Sequence, residues 1–140
     1  MALAMDKSAL AAFLAAEFPQ VADDFTILDL GEMSVRVRMN IGERHLRPGG
    51  TVSGPSMFAL ADVSIYLAVL AMIGPKALSV TTNISMDFMR KPAAGTDLIC
   101  EARLLKLGRS LAVGDCLIHS EGQEAPVARA SMTYAIPPER

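Results

Sequence analysis

Asp62 is the only formal charge in the run from Pro55 to Ile73, which is otherwise apolar or small. An ionised side chain in such a run is costly unless it is paired, hydrated or used. A carboxylate put to use can take a proton from water as a general base, or attack an electrophile directly. Just ahead of the run stands Ser53-Gly54-Pro55, a turn and a helix start. Backbone N–H groups at a helix start bind developing negative charge, and the helix dipole adds to the effect. Pro55 takes one N–H away from that terminus, so the donor role falls to Gly54, with the hydroxyl of Ser53 or Ser56 beside it. Tyr66 lies one turn beyond Asp62 on the same helix face. It reads as a packed core tyrosine, or as a group that orients Asp62 or lines a ligand slot.

These residues need elements to hold them. Asp6 or Ser8 caps a short helix within residues 1–20, whose stripe is Leu10, Phe13 and Leu14 and whose end precedes Pro19. Phe25 to Leu30 is rich in strand formers, and Met33 to Ile41 alternates apolar and polar residues. Together they predict a hairpin. Gly42 to Gly54 is a loop, and residues 55–73 form the long apolar helix, closed by Gly74-Pro75. Four strands follow: Leu78 to Met89, Asp97 to Leu107, Ser110 to Ser120 and Ala125 to Ile136. The short breaks between them predict antiparallel hairpins throughout. A helix apolar on all sides must be covered by a sheet face. The expected architecture is a single α+β domain of the hotdog type, with a curved antiparallel sheet of about six strands wrapped around one long helix.

Composition narrows the function classes. Hydrophobic residues make up 51% of the 140-residue chain and charged residues 20%, which excludes a disordered chain. A net charge of −2 and 5% aromatics, without tryptophan, give neither the electrostatic footprint nor the stacking surface of a nucleic-acid binder. Cys100 and Cys116 sit in strand-like segments outside any CxxC pattern and read as buried free thiols. His45 and His119 are too few and too scattered for a metal site. Residues 55–73 approach the length of a membrane span. An Asp near mid-bilayer costs about 2.5–3.5 kcal/mol, however, so a buried core helix is expected instead. The N-terminus has no signal-peptide pattern, and a cytoplasmic location is expected.

The segment Ser53-Gly54-Pro55-Ser56-Met57-Phe58-Ala59-Leu60-Ala61-Asp62 resembles the PaaI-type branch of hotdog acyl-CoA thioesterases, which carry an His-Gly-Gly turn followed by Leu-Ala-Asp. Met86 to Pro92 resembles the family's Phe-Leu-Arg-Pro strand end, and Leu105 to Ser110 its next hairpin. The likeness spans about residues 25–136. It implies Asp62 as the catalytic acid and Gly54 as the glycine whose N–H polarises the thioester carbonyl. It puts an auxiliary hydroxyl at Thr81 or Thr82. Strand parity sets Thr82 with the apolar Val80, Ile84, Met86 and Phe88, and Thr81 with Asn83, Ser85 and Asp87. Thr81 is the residue expected to help position water across a subunit boundary. Ser53 and Pro55 replace the family's His and second Gly, and Arg47 falls near its loop Asn.

The resemblance implies hydrolysis of acyl-CoA or aryl-CoA thioesters by a homodimer or homotetramer. It implies no cofactor beyond the coenzyme A of the substrate, and no metal, nucleic-acid or membrane partner. Arg90, Lys91, Lys106 and Arg109, grouped at hairpin ends, are solvated turns or contacts for the coenzyme's phosphates. Two other readings stay open: a hotdog protein that binds acyl-CoA or acyl carrier protein without turnover, and a hotdog hydratase or dehydratase.

Overall fold

The computed structural model describes residues 2–76 and 78–138. Its first helix, α1, spans Lys7–Glu17 and is capped by Asp6, whose carboxylate accepts from the Ala9 N–H at 2.8 Å. Leu10 and Leu14 are its buried residues. The second, α2, spans Gly54–Ile73 and is buried without a break from Ser64 to Met72. Length and composition alone would let α2 cross a membrane. Here its apolar surface is taken up by the sheet, and the N-terminal segment crosses its far end through Ala4 N–H to Ala71 O at 2.7 Å.

Six strands form the sheet: β1 Phe25–Gly31, β2 Ser34–Met39, β3 Val80–Phe88, β4 Leu98–Leu107, β5 Leu111–Ser120 and β6 Pro126–Ala135. Their order is β1-β2-β4-β5-β6-β3, and every neighbouring pair is antiparallel. The expected β1–β2, β4–β5 and β5–β6 hairpins are present. The expected β3–β4 hairpin is not. β4 pairs with β2, while β3 crosses to the far edge and pairs with β6. The connection from Met89 to Asp97 includes Pro92 and is too long for a tight hairpin turn.

The sheet must curve tightly to enclose α2, and bulges supply the bend. Register shifts fall between Ile27 and Asp29, Thr81 and Asn83, Leu104 and Lys106, and Ile118 and His119. At Gly114 in β5 the helix comes so near that a Cβ would lie 2.8 Å from Arg103 O and 2.9 Å from Ile65 Cδ1. Only glycine permits that approach. Because Ile65 follows Asp62 by less than one helical turn, this contact also fixes the depth at which the carboxylate sits.

Candidate active site

Asp62 is half-buried at the middle of α2. Its Oδ1 accepts the Thr81 hydroxyl at 2.5 Å and also the Tyr134 hydroxyl. The Tyr134 hydroxyl reaches the Asp62 backbone carbonyl as well, at 2.8 Å. Thr81 and Tyr134 are direct cross-strand partners on β3 and β6, so the sheet delivers both hydroxyls to one oxygen. The sequence reading put Thr81 across a subunit boundary; its hydroxyl serves Asp62 of its own chain.

The bulge at Thr82 makes this possible. Plain alternation groups Thr81 with the outward Asn83, Ser85 and Asp87. The extra residue in β3 shifts the phase, so Thr81 turns inward with Ile84 and Met86. Thr82 is left exposed, with its Oγ1 on Thr133 O at 3.3 Å, and it faces away from Asp62.

Tyr134 was not among the residues singled out from the sequence. The signal was present: Ala128, Ala130, Met132 and Tyr134 form the inward row of β6, and a tyrosine in such a row needs a partner for its hydroxyl. Burial, and then the nearby Asp62 charge, push the Tyr134 phenol far above its usual range. It therefore remains a proton donor at any working pH. Tyr66 packs between Phe18, with ring centroids 6.5 Å apart, and Tyr134, at 6.2 Å. Burial, with a smaller effect of Glu17, raises its phenol too.

At the helix start, Ser53 is the N-cap. Its Oγ accepts from the Ser56 N–H at 3.3 Å and donates to Ser56 Oγ at 3.0 Å. That hydroxyl proton is therefore already placed. The Gly54 N–H has no backbone acceptor among the described residues, and the Phe88 ring lies 3.5 Å from where a Gly54 Cβ would sit. Pro55 is exposed. With a rise of about 1.5 Å per residue, Gly54 and Asp62 of one chain are roughly 12 Å apart along the axis. One thioester carbonyl cannot touch both groups of a single chain.

The cations expected to cluster are divided. Arg47, Arg90 and Lys91 line a cavity of about 380 Å³ with Gly54, Met57 and Phe88. The Arg90 guanidinium also donates to Pro126 O at 2.8 Å. Arg109 lines a separate cavity of about 670 Å³ with Ile73, Lys76, Ser110 and Ile136. The sheet register explains the split. Phe88 is opposite Ala128 and Leu111 is opposite Ala135, so the two groups lie at opposite ends of β6, about 23 Å apart at 3.3 Å per residue.

A groove of about 660 Å³ on the outer sheet face is lined by charges that already pair within it or at its border. Arg103 meets Asp115 at 2.9 Å and Arg129 meets Asp87 at 2.7 Å. Neither histidine comes near Asp62 through any bond. His45 Nδ1 accepts the Gly42 N–H at 2.8 Å, and His119 Nε2 is 3.2 Å from Glu101. Cys100 and Cys116 are free and buried. Burial and the adjacent Cys116 hold the Cys100 thiol far above its usual range, so it is no nucleophile. Among the described residues no His, Cys, Asp and Glu side chains group to hold a metal.

Comparison with known proteins identifies the family. The family model described as "Thioesterase superfamily" matches residues 49–127. A Pseudomonas aeruginosa protein named as a "putative esterase" is 33% identical over 101 residues, covering 72% of this chain and 74% of its own. The crystal structure of a "putative thioesterase" from Silicibacter shares 63% identity at a TM-score of 0.93, covering 99% of this chain and 96% of that one. The Asn-to-Asp mutant of the phenylacetic acid degradation protein PaaI from Thermus thermophilus shares 26% identity at a TM-score of 0.72, covering 85% of this chain and 99% of that one.

Proposed function

The chain belongs to the thioesterase superfamily and is a thioester hydrolase, and on that footing we propose that it cleaves acyl-CoA or aryl-CoA thioesters at a site built by two copies. The observation that carries the reading is the pairing of a carboxylate held on one oxygen by two hydroxyls with a Gly54 N–H that, among the described residues, has no backbone acceptor at a helix terminus. The carboxylate acts on water or on the carbonyl carbon, and the N–H receives the oxyanion.

The second copy supplies the missing half. β3 is an edge strand of nine residues, with Val80 54% and Phe88 53% exposed. Such an edge is a template for pairing with another chain. Thr81 at one end of β3 touches Asp62, and Phe88 at the other end lies against Gly54. Antiparallel pairing of two β3 strands about a two-fold axis reverses one strand against the other. It thereby sets Asp62 of one copy opposite Gly54 of the second. The same reversal brings Arg47, Arg90 and Lys91 of one copy toward Arg109 of the other, a basic mouth for the phosphates of coenzyme A. Coenzyme A enters as part of the substrate, and no further cofactor is required.

The test is steady-state hydrolysis of a panel of acyl-CoA and aryl-CoA esters by wild type, Asp62→Ala and Asp62→Asn. Loss of a general base lowers the rate by about 10²–10⁴-fold. Turnover that survives both substitutions would remove Asp62 from the chemistry. Tight CoA-ester binding without turnover by the wild type would favour a binding protein. In that outcome the cause would be sought in the Ser53 cap and Pro55, which leave the terminus only one obvious donor.

A further inference from the structure

We propose that Tyr134 is a positioning residue that, together with Thr81, makes Oδ2 the working oxygen of Asp62. The inference rests on the thioesterase reading of Asp62 and goes beyond it by assigning a task to each carboxylate oxygen. Both described hydroxyl bonds to the side chain end on Oδ1. An oxygen that accepts two protein hydroxyls is poorly placed to take a third proton from water. Oδ2 accepts no described hydrogen bond, so the reacting water, or the substrate carbon, meets that oxygen.

Tyr134 is suited to this task by its surroundings. It is only 2% exposed, and its ring is held against Tyr66. Its hydroxyl bridges the Asp62 carboxylate and the Asp62 backbone carbonyl, so it restrains both the side-chain torsion and the helix to β6. Ala112 and Thr81 flank it on β5 and β3. Burial and the Asp62 charge keep its proton in place, so it donates without itself entering proton transfer.

The test is the pH–rate profile of Tyr134→Phe, which keeps the ring and its packing. A hydrogen bond to a charged group is worth enough that its loss lowers kcat by roughly 10–100-fold, with KM within about twofold. One donor to the ionised carboxylate is gone, so the acid limb of kcat/KM moves to higher pH. Thr81→Val shifts the limb in the same direction. The limb position does not depend on the fraction of enzyme folded, so partial instability of a variant leaves the test intact.

A Tyr134→Phe enzyme with wild-type kcat and an unmoved acid limb overturns the proposal. If Asp62→Asn is inactive in the same assay, the thioesterase reading survives that failure. If Asp62→Asn is active, both fall.

Discussion

His45 offers the sharpest test of how the loop before α2 is held. It is 5% exposed and faces Asp24, itself 7% exposed, with His45 Nε2 3.3 Å from Asp24 Oδ2. The other ring nitrogen accepts the Gly42 N–H at 2.8 Å, and the His45 carbonyl accepts the Ser53 N–H at 2.8 Å. One residue thus ties the loop start to the helix cap. Replacing it with Ala strands the Gly42 N–H, while Asp24 retains Arg44. One such loss costs about 1.5 kcal/mol. At about 2.1 cal/mol/K per residue, a chain of this length has an unfolding entropy near 0.3 kcal/mol/K, so Tm falls by roughly 5 °C. His45→Asn keeps an acceptor close to the Nδ1 position and loses about half as much.

The pH dependence gives the refutable part. Burial first, and the Arg44 cation second, lower the His45 pKa below its ordinary 6.5. Below pH 6.5 the unfolded chain therefore takes up a proton that the folded chain resists. The stability His45 provides is complete above pH 6.5 and is lost as pH falls from there through the folded value. The slope is at most about 1.4 kcal/mol per pH unit. The assay is urea unfolding of wild type and His45→Asn at pH 7.5 and pH 5.5. The wild type should lose more stability than the variant on acidification. Equal losses would show that His45 is not held neutral by its surroundings and would refute the argument.

Two other outcomes follow from the packing and the sheet edge. Gly114→Ala should lower stability by about 1–3 kcal/mol in chemical denaturation, because its Cβ meets a backbone oxygen at 2.8 Å that cannot swing away. Activity measured on the remaining folded protein should fall as well, since the displaced Ile65 lies in the same turn region as Asp62. Asn83→Lys with Ser85→Lys places like charges along the outward face of β3. Light scattering should then report a monomer, and hydrolysis should fall with it; an active monomer would contradict a site shared between two copies.

The order of elements was legible because periodicity carries it. Val35, Val37 and Met39 alternate as one buried face, and α2 is apolar on all sides. The family resemblance drew attention to Asp62 and Gly54, which lie in the middle and at the start of α2. Three things escaped. Pairing of β3 with β6 is a long-range choice that the break before β4 does not encode. The convergence of Tyr134 on Asp62 spans 72 residues, and nothing local announces it. The split between Arg90 and Arg109 depends on sheet register, which sequence spacing conceals. Strand parity set Thr81 with the polar, outward residues and toward a second subunit, and the bulge is the reason that it turns inward instead.

That bulge makes β3 a strand of two phases. On one side of Thr82 the strand is keyed to the carboxylate, and on the other to whatever covers its free edge. The two halves can drift apart over evolutionary time: residues 83–88 can be rewritten to suit a different neighbour while Thr81 stays locked on Asp62. A relative that lacks the extra residue must recover the hydroxyl from the adjacent position, so a reliable superposition of such chains is anchored on the acid and allowed to slip by one residue at the strand.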